Sequence, residues 1–216
     1  NGMEVPNNAY PYAGERWPRP ERNKAAMITR MDQAIGQILA KLREYDIEED
    51  TIVLFTSDNG PHMEGGNDPK FFRGAGPFRG IKRSLYEGGI RSSLIAWGPG
   101  LVTRQNHVNR TSVFSAIDLV PTLLDLTGTP HPKGTKFDGE SLPGTLLAKV
   151  ARSRLAPIYF RRPPDRDSFY GDNDLPDLAV RNGQWKFLCE YDGTDPELYN
   201  LKTDRIEATN LAAKHP

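Results

Sequence analysis

Two neighbouring side chains with oxygen donors, Asp58 and Asn59, follow the short apolar run 51–56 after one serine. A carboxylate and an amide carbonyl are hard oxygen donors of the kind that bind Ca²⁺ or Mg²⁺. The surrounding residues, Ser57-Asp-Asn-Gly60, are also common in ordinary turns. The motif alone therefore leaves two interpretations open, a metal site and a plain turn.

A basic loop rich in glycine and aromatic residues follows this motif. Its cations are Arg73, Arg79, Lys82, Arg83 and Arg91. Glycines let a backbone close around a tetrahedral anion, which guanidinium and ammonium groups can neutralise. A divalent metal beside clustered cations suits the hydrolysis of sulfate or phosphate esters. The alternatives are a solvated basic loop and an RNA-binding patch built on the two Phe-Arg-Gly units at 72–74 and 78–80.

The totals argue against two classes of partner. The 28 Lys and Arg balance the 28 Asp and Glu, so no global charge selects nucleic acid or an anionic membrane. No apolar run approaches the roughly 18 residues of a membrane span. The single cysteine, Cys189, excludes an internal disulfide framework. We expect neither nucleic acid nor a membrane as a partner.

The elements around the motif predict an α/β fold. Thr51–Thr56 is rich in β-branched residues and predicts a strand buried on both faces. Ser93–Trp97 predicts a second strand after the long loop. Before them, a helix opening at Pro20 and ending near Tyr45 is predicted from apolar residues at spacings of three and four. Those residues are Ile28, Met31, Ile35, Ile38 and Leu42.

The rest of the chain predicts two short helices and then antiparallel strands. The helices are 119–126, with Asp118 as N-cap and Gly128 as its stop, and 141–149. Strands are predicted at 158–161, 178–181, 184–188 and 197–201, with Asn182-Gly183 as a hairpin turn. We expect 1–150 to be the C-terminal portion of an α/β domain and 151–216 a small α+β lobe with an antiparallel sheet.

Several motifs resemble the type I sulfatases, which belong to the alkaline-phosphatase-like superfamily. They are Phe55-Thr-Ser-Asp-Asn-Gly60, Gly80-Ile-Lys-Arg-Ser-Leu-Tyr-Glu-Gly-Gly-Ile-Arg91, Ala96-Trp-Gly-Pro-Gly100 and Ala179-Val-Arg-Asn-Gly-Gln-Trp-Lys186. The resemblance runs almost from end to end. It implies the superfamily's sandwich of sheet and helices, with the C-terminal half of a sulfatase represented here.

The resemblance also implies roles for individual residues. Asp58 and Asn59 match two ligands of the active-site Ca²⁺, and Lys82 matches the lysine that contacts the substrate's sulfate. Glu87, Gly88 and Gly89 match a stretch that shapes the loop, and Glu87 and Arg91 are expected to be structural. Positions that vary in the family, and that could meet the sugar or aryl part of a substrate, are His62, Glu64 and Asp68; an exposed loop histidine is the alternative for His62. The implied substrate is a sulfated small molecule or glycan, and the implied location is the periplasm or the outside of the cell.

The family's nucleophile is absent from these residues. It is a formylglycine made in a Cys/Ser-x-Pro-x-Arg sequence, and neither Cys189 nor any serine begins such a sequence. Ca²⁺ needs about 6–8 oxygen ligands, of which Asp58 and Asn59 supply two or three. We expect the isolated chain to be inactive, to hold calcium poorly, and to be completed by an N-terminal half or covered by a second copy of itself.

Two alternatives to a sulfatase remain. One is a phosphomonoesterase or phosphodiesterase of the same superfamily, although such enzymes commonly use two zinc ions and more histidine ligands than the four histidines here. The other is a non-catalytic glycan-binding fragment, which the missing nucleophile would explain.

Overall fold

The structure is a computed structural model that describes residues 8–102, 104–163 and 175–215. The helices are α1 (Arg19–Glu44), α2 (Glu87–Ile90), α3 (Leu119–Leu126) and α4 (Pro143–Leu146). The strands are β1 (Val53–Thr56), β2 (Leu94–Trp97), β3 (Ile158–Arg161), β4 (Leu178–Asn182), β5 (Trp185–Cys189) and β6 (Glu197–Asn200). The predicted mixture of helices and sheet is confirmed.

Helix α1 has the predicted length and ends. It begins one residue before Pro20, whose missing N–H does no harm in a first turn, and Tyr45 follows its last residue. Its apolar stripe is largely open to solvent, since Ile28, Met31 and Ile38 are all exposed. The periodicity therefore predicts the helix correctly. The rest of the described chain leaves much of its apolar face exposed.

Strands β1 and β2 form a two-stranded antiparallel ribbon. The expected burial on both faces of β1 is wrong for the described chain, because Val53 and Leu54 are half-buried while Phe55 and Thr56 are exposed. On β2, Ile95 is also exposed. The physical reason is that a ribbon of two strands has two open faces, and no further described strand pairs with it.

Strands β3 to β6 form one antiparallel sheet in sequence order. The predicted hairpin joins β4 to β5, but its register places Asn182 opposite Trp185, so the turn is Gly183-Gln184 rather than Asn182-Gly183. Gly183 takes a positive φ of 56°, a conformation that glycine adopts without strain. The predicted pair of strands is confirmed, and the turn lies one residue later.

The main hydrophobic cluster joins this sheet to the long loop. Its members are Leu85, Tyr86, Ala179, Leu188, Tyr199 and Leu201. Two come from the loop after β1, and the others lie on or beside strands β4 to β6. The loop is thus packed on the sheet over apolar side chains and does not extend into solvent there.

Asp118 has a different role from the predicted one. It occupies the position before α3 but makes no side-chain cap to that helix. Its carboxylate accepts hydrogen bonds from the amides of Ser115 and Glu140, both at 2.8 Å, and pairs with Arg154 at 3.2 Å. Asp118 therefore ties three segments together. The predicted stop at Gly128 is confirmed by its positive φ of 63°.

None of the helices that the structure describes is both long enough and apolar enough to cross a bilayer.

Candidate active site

The turn after β1 presents two oxygen donors. The Asn59 side-chain amide donates to the carbonyl oxygen of Gly60 at 3.0 Å, which leaves the Asn59 side-chain oxygen for another partner. Ser57 Oγ donates to the carbonyl oxygen of Asn59 at 2.8 Å and closes the turn. Asp58 is exposed and forms no salt bridge with any described residue. Both side chains can therefore accept a cation.

Glycines fix this turn against helix α2. The amide of Gly60 donates to the carbonyl oxygen of Gly89 at 2.8 Å. A Cβ atom at Gly60 would lie 1.8 Å from the carbonyl oxygen of Gly88, and one at Gly88 would lie 2.2 Å from that of Gly80. Such approaches are possible only without side chains. The Gly-Gly pair of α2 thus sets the position of the turn.

Lys82 is held beside the same turn. Its amide donates to the carbonyl oxygen of Pro61 at 2.9 Å. Its side chain is half-buried and makes no salt bridge with the part of the chain that the structure describes. Lys82, Asp58 and Asn59 all line one cavity of about 1090 Å³, with Arg91 and Arg181 also in its wall. The three residues predicted for metal and sulfate therefore meet at one cavity.

The three predicted substrate residues are not among the described lining residues of that cavity. His62 Nδ1 accepts a hydrogen bond from the Glu64 amide at 3.1 Å and lies 3.6 Å from Glu64 Oε2. Burial lowers the pKa of His62, and nearby Lys82 lowers it further against the opposing charge of Glu64. Asp68 accepts from the Lys70 amide at 2.8 Å. None of the three is among the described residues that line the cavity, and their contact with substrate stays a prediction.

A buried ionic cluster lies behind the loop. Lys186, whose side chain is 0% exposed, donates to Glu87 Oε1 at 3.1 Å and lies 2.8 Å from Glu207 Oε1. The second oxygen of Glu87 pairs with Arg91 at 3.1 Å and with Arg181 at 3.4 Å. Both arginines reach the cavity wall. The expected structural role of Glu87 and Arg91 is consistent with these contacts.

The two carboxylates of this cluster differ in their acidity. Burial would raise the pKa of Glu87, but the charges of Lys186, Arg181 and Arg91 outweigh it, and the net effect lowers that pKa. For Glu207 burial is the larger effect and raises the pKa, although Lys186 opposes it. Glu87 is therefore the carboxylate that stays ionised most firmly.

A second set of contacts anchors the loop ahead of Lys82. Arg79 donates to the hydroxyl of Tyr199 at 3.0 Å and lies over the ring of Tyr86, 3.7 Å from its centroid. The hydroxyls of Tyr86 and Tyr199 donate to the two oxygens of Glu197, at 2.7 and 2.5 Å. Burial and the Glu197 carboxylate raise the pKa of both tyrosines. These groups join the loop to strand β6.

Comparison with known proteins decides the family. The model of the family described as Sulfatase matches residues 5–129. The chain belongs to the sulfatase family. Among curated sulfatase relatives, one described as "Sulfatase" from Formosa agariphila is 32% identical over 208 residues, covering 89% of this chain and 35% of that protein. Mouse arylsulfatase K is 32% identical over 194 residues, covering 88% of this chain and 32% of that protein.

Solved structures agree with this assignment. One, described by the metabolism of multiple glycosaminoglycans by Bacteroides thetaiotaomicron, matches with a TM-score of 0.71 and 31% identity over 90% of this chain and 42% of that one. A second, Ps i-CgsB in complex with a neocarrahexaose, has a TM-score of 0.74 at 23% identity over 98% of this chain and 43% of that one, and supports the sulfatase fold alone. The chain spans about a third of the length of the curated relatives given above.

Sulfatases generally use Ca²⁺ and formylglycine, and the turn after β1 is the place where this chain presents oxygen donors for such an ion. The side-chain oxygen of Asn59 and the carboxylate of Asp58, which pairs with no cation among the described residues, are donors that suit a hard cation. Across residues 8–102, 104–163 and 175–215, no group of three or more His, Cys, Asp or Glu is arranged to hold a metal. Asp58 and Asn59 suit calcium by their chemistry, and two side chains make up only part of a calcium coordination shell.

Three residues near the site were missed from the sequence, namely Arg181, Lys186 and Glu207. A signal existed for Lys186, since alternation along β5 places it on the same face as Leu188, which is fully buried. A lysine on an inward face needs a carboxylate partner. Glu87 and Glu207 could not be chosen as those partners from local patterns, because they lie 99 and 21 positions away along the chain.

Proposed function

We propose that this chain forms one wall of the active site of a sulfatase that hydrolyses sulfate esters. The observation that carries the proposal is the cavity shared by Asp58, Asn59 and Lys82. In this role Lys82 contacts the sulfate group, and its ammonium group neutralises charge on the sulfate oxygens as the ester bond breaks. Membership of the sulfatase family supports the reaction class.

Asp58 and Asn59 would hold a calcium ion at this wall, and a bound calcium supplies Lewis-acid polarisation of the sulfate. The Asn59 oxygen is oriented for that role by the hydrogen bond from its own amide to Gly60. Gly60 and the Gly-Gly pair of α2 keep both ligands in place by direct backbone contact. The remaining oxygen ligands would come from residues other than these two.

The nucleophile is the part of the machinery that these residues do not supply. None of the 216 residues begins a Cys/Ser-x-Pro-x-Arg sequence. We therefore propose that these residues provide electrostatics and metal ligands, and that they are inactive alone. Removal of a group from a unit that acts together commonly costs several orders of magnitude in rate.

A sulfated glycan is the proposed class of substrate. The similar solved structure that concerns glycosaminoglycan metabolism supports it. A cavity of about 1090 Å³ with Lys82, Arg91 and Arg181 in its wall has the volume and charge for a sulfated sugar unit. Because enzymes of this family are usually exported, the proposed location is the periplasm or the cell exterior. Cell fractionation followed by immunoblotting tests this location.

The test uses the complete gene product that contains these residues, produced with a formylglycine-generating enzyme. We expect it to hydrolyse p-nitrophenyl sulfate in preference to p-nitrophenyl phosphate, and Lys82→Ala to lower kcat/KM about 10²- to 10³-fold. Lys70→Ala is the matched control, because Lys70 is an exposed lysine of the same loop and lies outside the cavity wall. Unchanged turnover in Lys82→Ala, or a preference for phosphate, would contradict the assignment.

The same complete protein also distinguishes a sulfatase from a non-catalytic glycan-binding protein. A glycan-binding protein without catalysis would bind sulfated oligosaccharides in calorimetry and release no sulfate from them. We expect sulfate release from the complete protein and none from the 216 residues alone.

A further inference from the structure

Lys186 is a full charge in the interior of the chain, with 0% of its side chain exposed. Burying an ammonium group is costly unless partners surround it, and an apolar residue of similar volume often serves stability as well or better. Its two partners, Glu87 and Glu207, are themselves 1% and 0% exposed at their side chains. A role in stability alone therefore does not account for a lysine at this position.

The partners of Lys186 hold the loop that carries Lys82. Glu87 is the first residue of α2, five residues after Lys82, and its amide donates to Glu207 Oε2 at 2.7 Å. Lys186 thus binds one carboxylate on the loop and a second carboxylate that itself accepts from the loop backbone. The loop is fixed at this end by its side chain and by its main chain.

The other end of the same segment is fixed to the same region. Arg79, three residues before Lys82, donates to the Tyr199 hydroxyl at 3.0 Å and to the carbonyl oxygen of Glu207 at 3.3 Å. Glu207 therefore contacts the loop on both sides of Lys82. Because the loop is fixed to this region at Arg79 and at Glu87, Lys82 between them is held in a fixed place.

We propose that Lys186 is a positioning residue of the sulfatase reaction, acting through Glu87 and Glu207 to place Lys82 at the cavity. The inference rests on the proposed role of Lys82 as the sulfate contact. Lys186 does not touch the substrate, since its side chain has no exposed surface. The C-terminal sheet is therefore a working part of the active site.

The experiment is a double-mutant cycle in the complete gene product. Lys186→Met keeps the length of the side chain and removes its charge. We expect it to lower kcat/KM for p-nitrophenyl sulfate about 10- to 100-fold, as the loss of a supporting residue commonly does. In the Lys82→Ala background the same substitution should have almost no further effect, because Lys186 acts through Lys82.

A control separates positioning from general stability. Arg154→Met removes another buried ion pair, Arg154–Asp118, whose side chains are 2% and 0% exposed. Among the described residues, neither side chain forms a hydrogen bond or an ion pair with the loop at 60–91. We expect Arg154→Met to lower Tm. Its kcat/KM should stay within about twofold of the wild-type value, because distant sites without shared partners act independently. If Lys186→Met does not fold, Glu207→Gln takes its place in the cycle, since it removes the charge of the second partner.

The outcomes are distinct. Additive losses from Lys82→Ala and Lys186→Met, or an equal loss in Arg154→Met, would overturn the positioning role. Unchanged kcat/KM in a folded Lys186→Met variant would overturn it as well. Absence of sulfate ester hydrolysis in the wild type would instead overturn the proposed function.

Discussion

The amide of Gly60 donates to the carbonyl oxygen of Gly89 at 2.8 Å, so the turn that carries Asp58 and Asn59 rests on the backbone of helix α2. No side chain separates the two segments. A contact of this kind transmits any displacement of the loop directly to the proposed metal ligands. The relative position of the turn and helix α2 is therefore set by contacts between main-chain atoms.

Gly60→Ala tests this contact. A Cβ atom at this position would lie 1.8 Å from the carbonyl oxygen of Gly88, so the backbone must move. We expect the free energy of unfolding to fall by about 1–3 kcal/mol, the usual cost of overpacking. Urea unfolding followed by circular dichroism measures it.

Gly36→Ala is the control for that substitution. Among the described residues, no neighbouring segment lies within 4 Å of a Cβ atom at Gly36, which is an exposed position inside helix α1. Alanine there should raise the free energy of unfolding by about 0.5–1 kcal/mol. Equal effects of the two substitutions would contradict the account of the contact at Gly60.

Asp58→Asn tests the proposed calcium site. Removal of one ligand charge should weaken Ca²⁺ binding, because carboxylates are the strongest of its oxygen ligands. We expect the complete gene product to lose activity in a chelator and to regain it with Ca²⁺, with a higher Ca²⁺ requirement in Asp58→Asn. Asp32→Asn, on the exposed face of α1, should leave that requirement unchanged.

Glu87→Gln tests the pH dependence of the buried cluster. Lys186, Arg181 and Arg91 lower the pKa of Glu87 against the effect of burial. Its folded pKa therefore lies below the unfolded value of about 4.3. The ionised group stabilises the fold above that value, and its contribution is lost as the pH falls through the folded pKa.

We expect Glu87→Gln to cost about 3–5 kcal/mol at pH 7, because it leaves Lys186 with one partner fewer. The difference from the wild type should shrink as the pH falls below about 4. Glu44→Gln is the control, since Glu44 pairs with Lys41 at the surface and should cost less than about 1 kcal/mol. A difference that grows toward acid pH would refute the sign of this effect.

Cys189 offers a probe of the sheet. It is the only cysteine, it is buried, and burial raises the pKa of its thiol. The thiolate is the reactive form, so we expect slow reaction with a disulfide reagent at pH 8 in the folded chain and one rapid equivalent in urea. Faster reaction in Lys186→Met than in Arg154→Met would report local opening of strand β5.

Local patterns predicted most of the elements. The three-and-four spacing of α1 and the turn before β5 act within a few residues, so each needs no knowledge of the rest of the chain. The burial of β1 could not be predicted in the same way. It depends on what covers the two faces of the ribbon, and apolar residues such as Phe55 carry no information about that cover.

The site shows the same division. Asp58, Asn59 and Lys82 could be proposed because a family motif and their chemistry point in one direction. For Lys186 the alternation along β5 indicates an inward side chain, but its role could not be proposed, because that role depends on two carboxylates that lie 99 and 21 positions away. Ion pairs that form only in the tertiary structure cannot be predicted from local sequence patterns.

The link between Glu87 and Glu207 joins residues that are 120 positions apart. Contacts of such separation form late, because closure of a long loop costs entropy before any contact compensates for it. During synthesis, the segment around Lys82 must wait until strand β6 and Glu207 have left the ribosome. On the proposed role of Lys82, anion recognition therefore arises only after strand β6 and Glu207 have been synthesised.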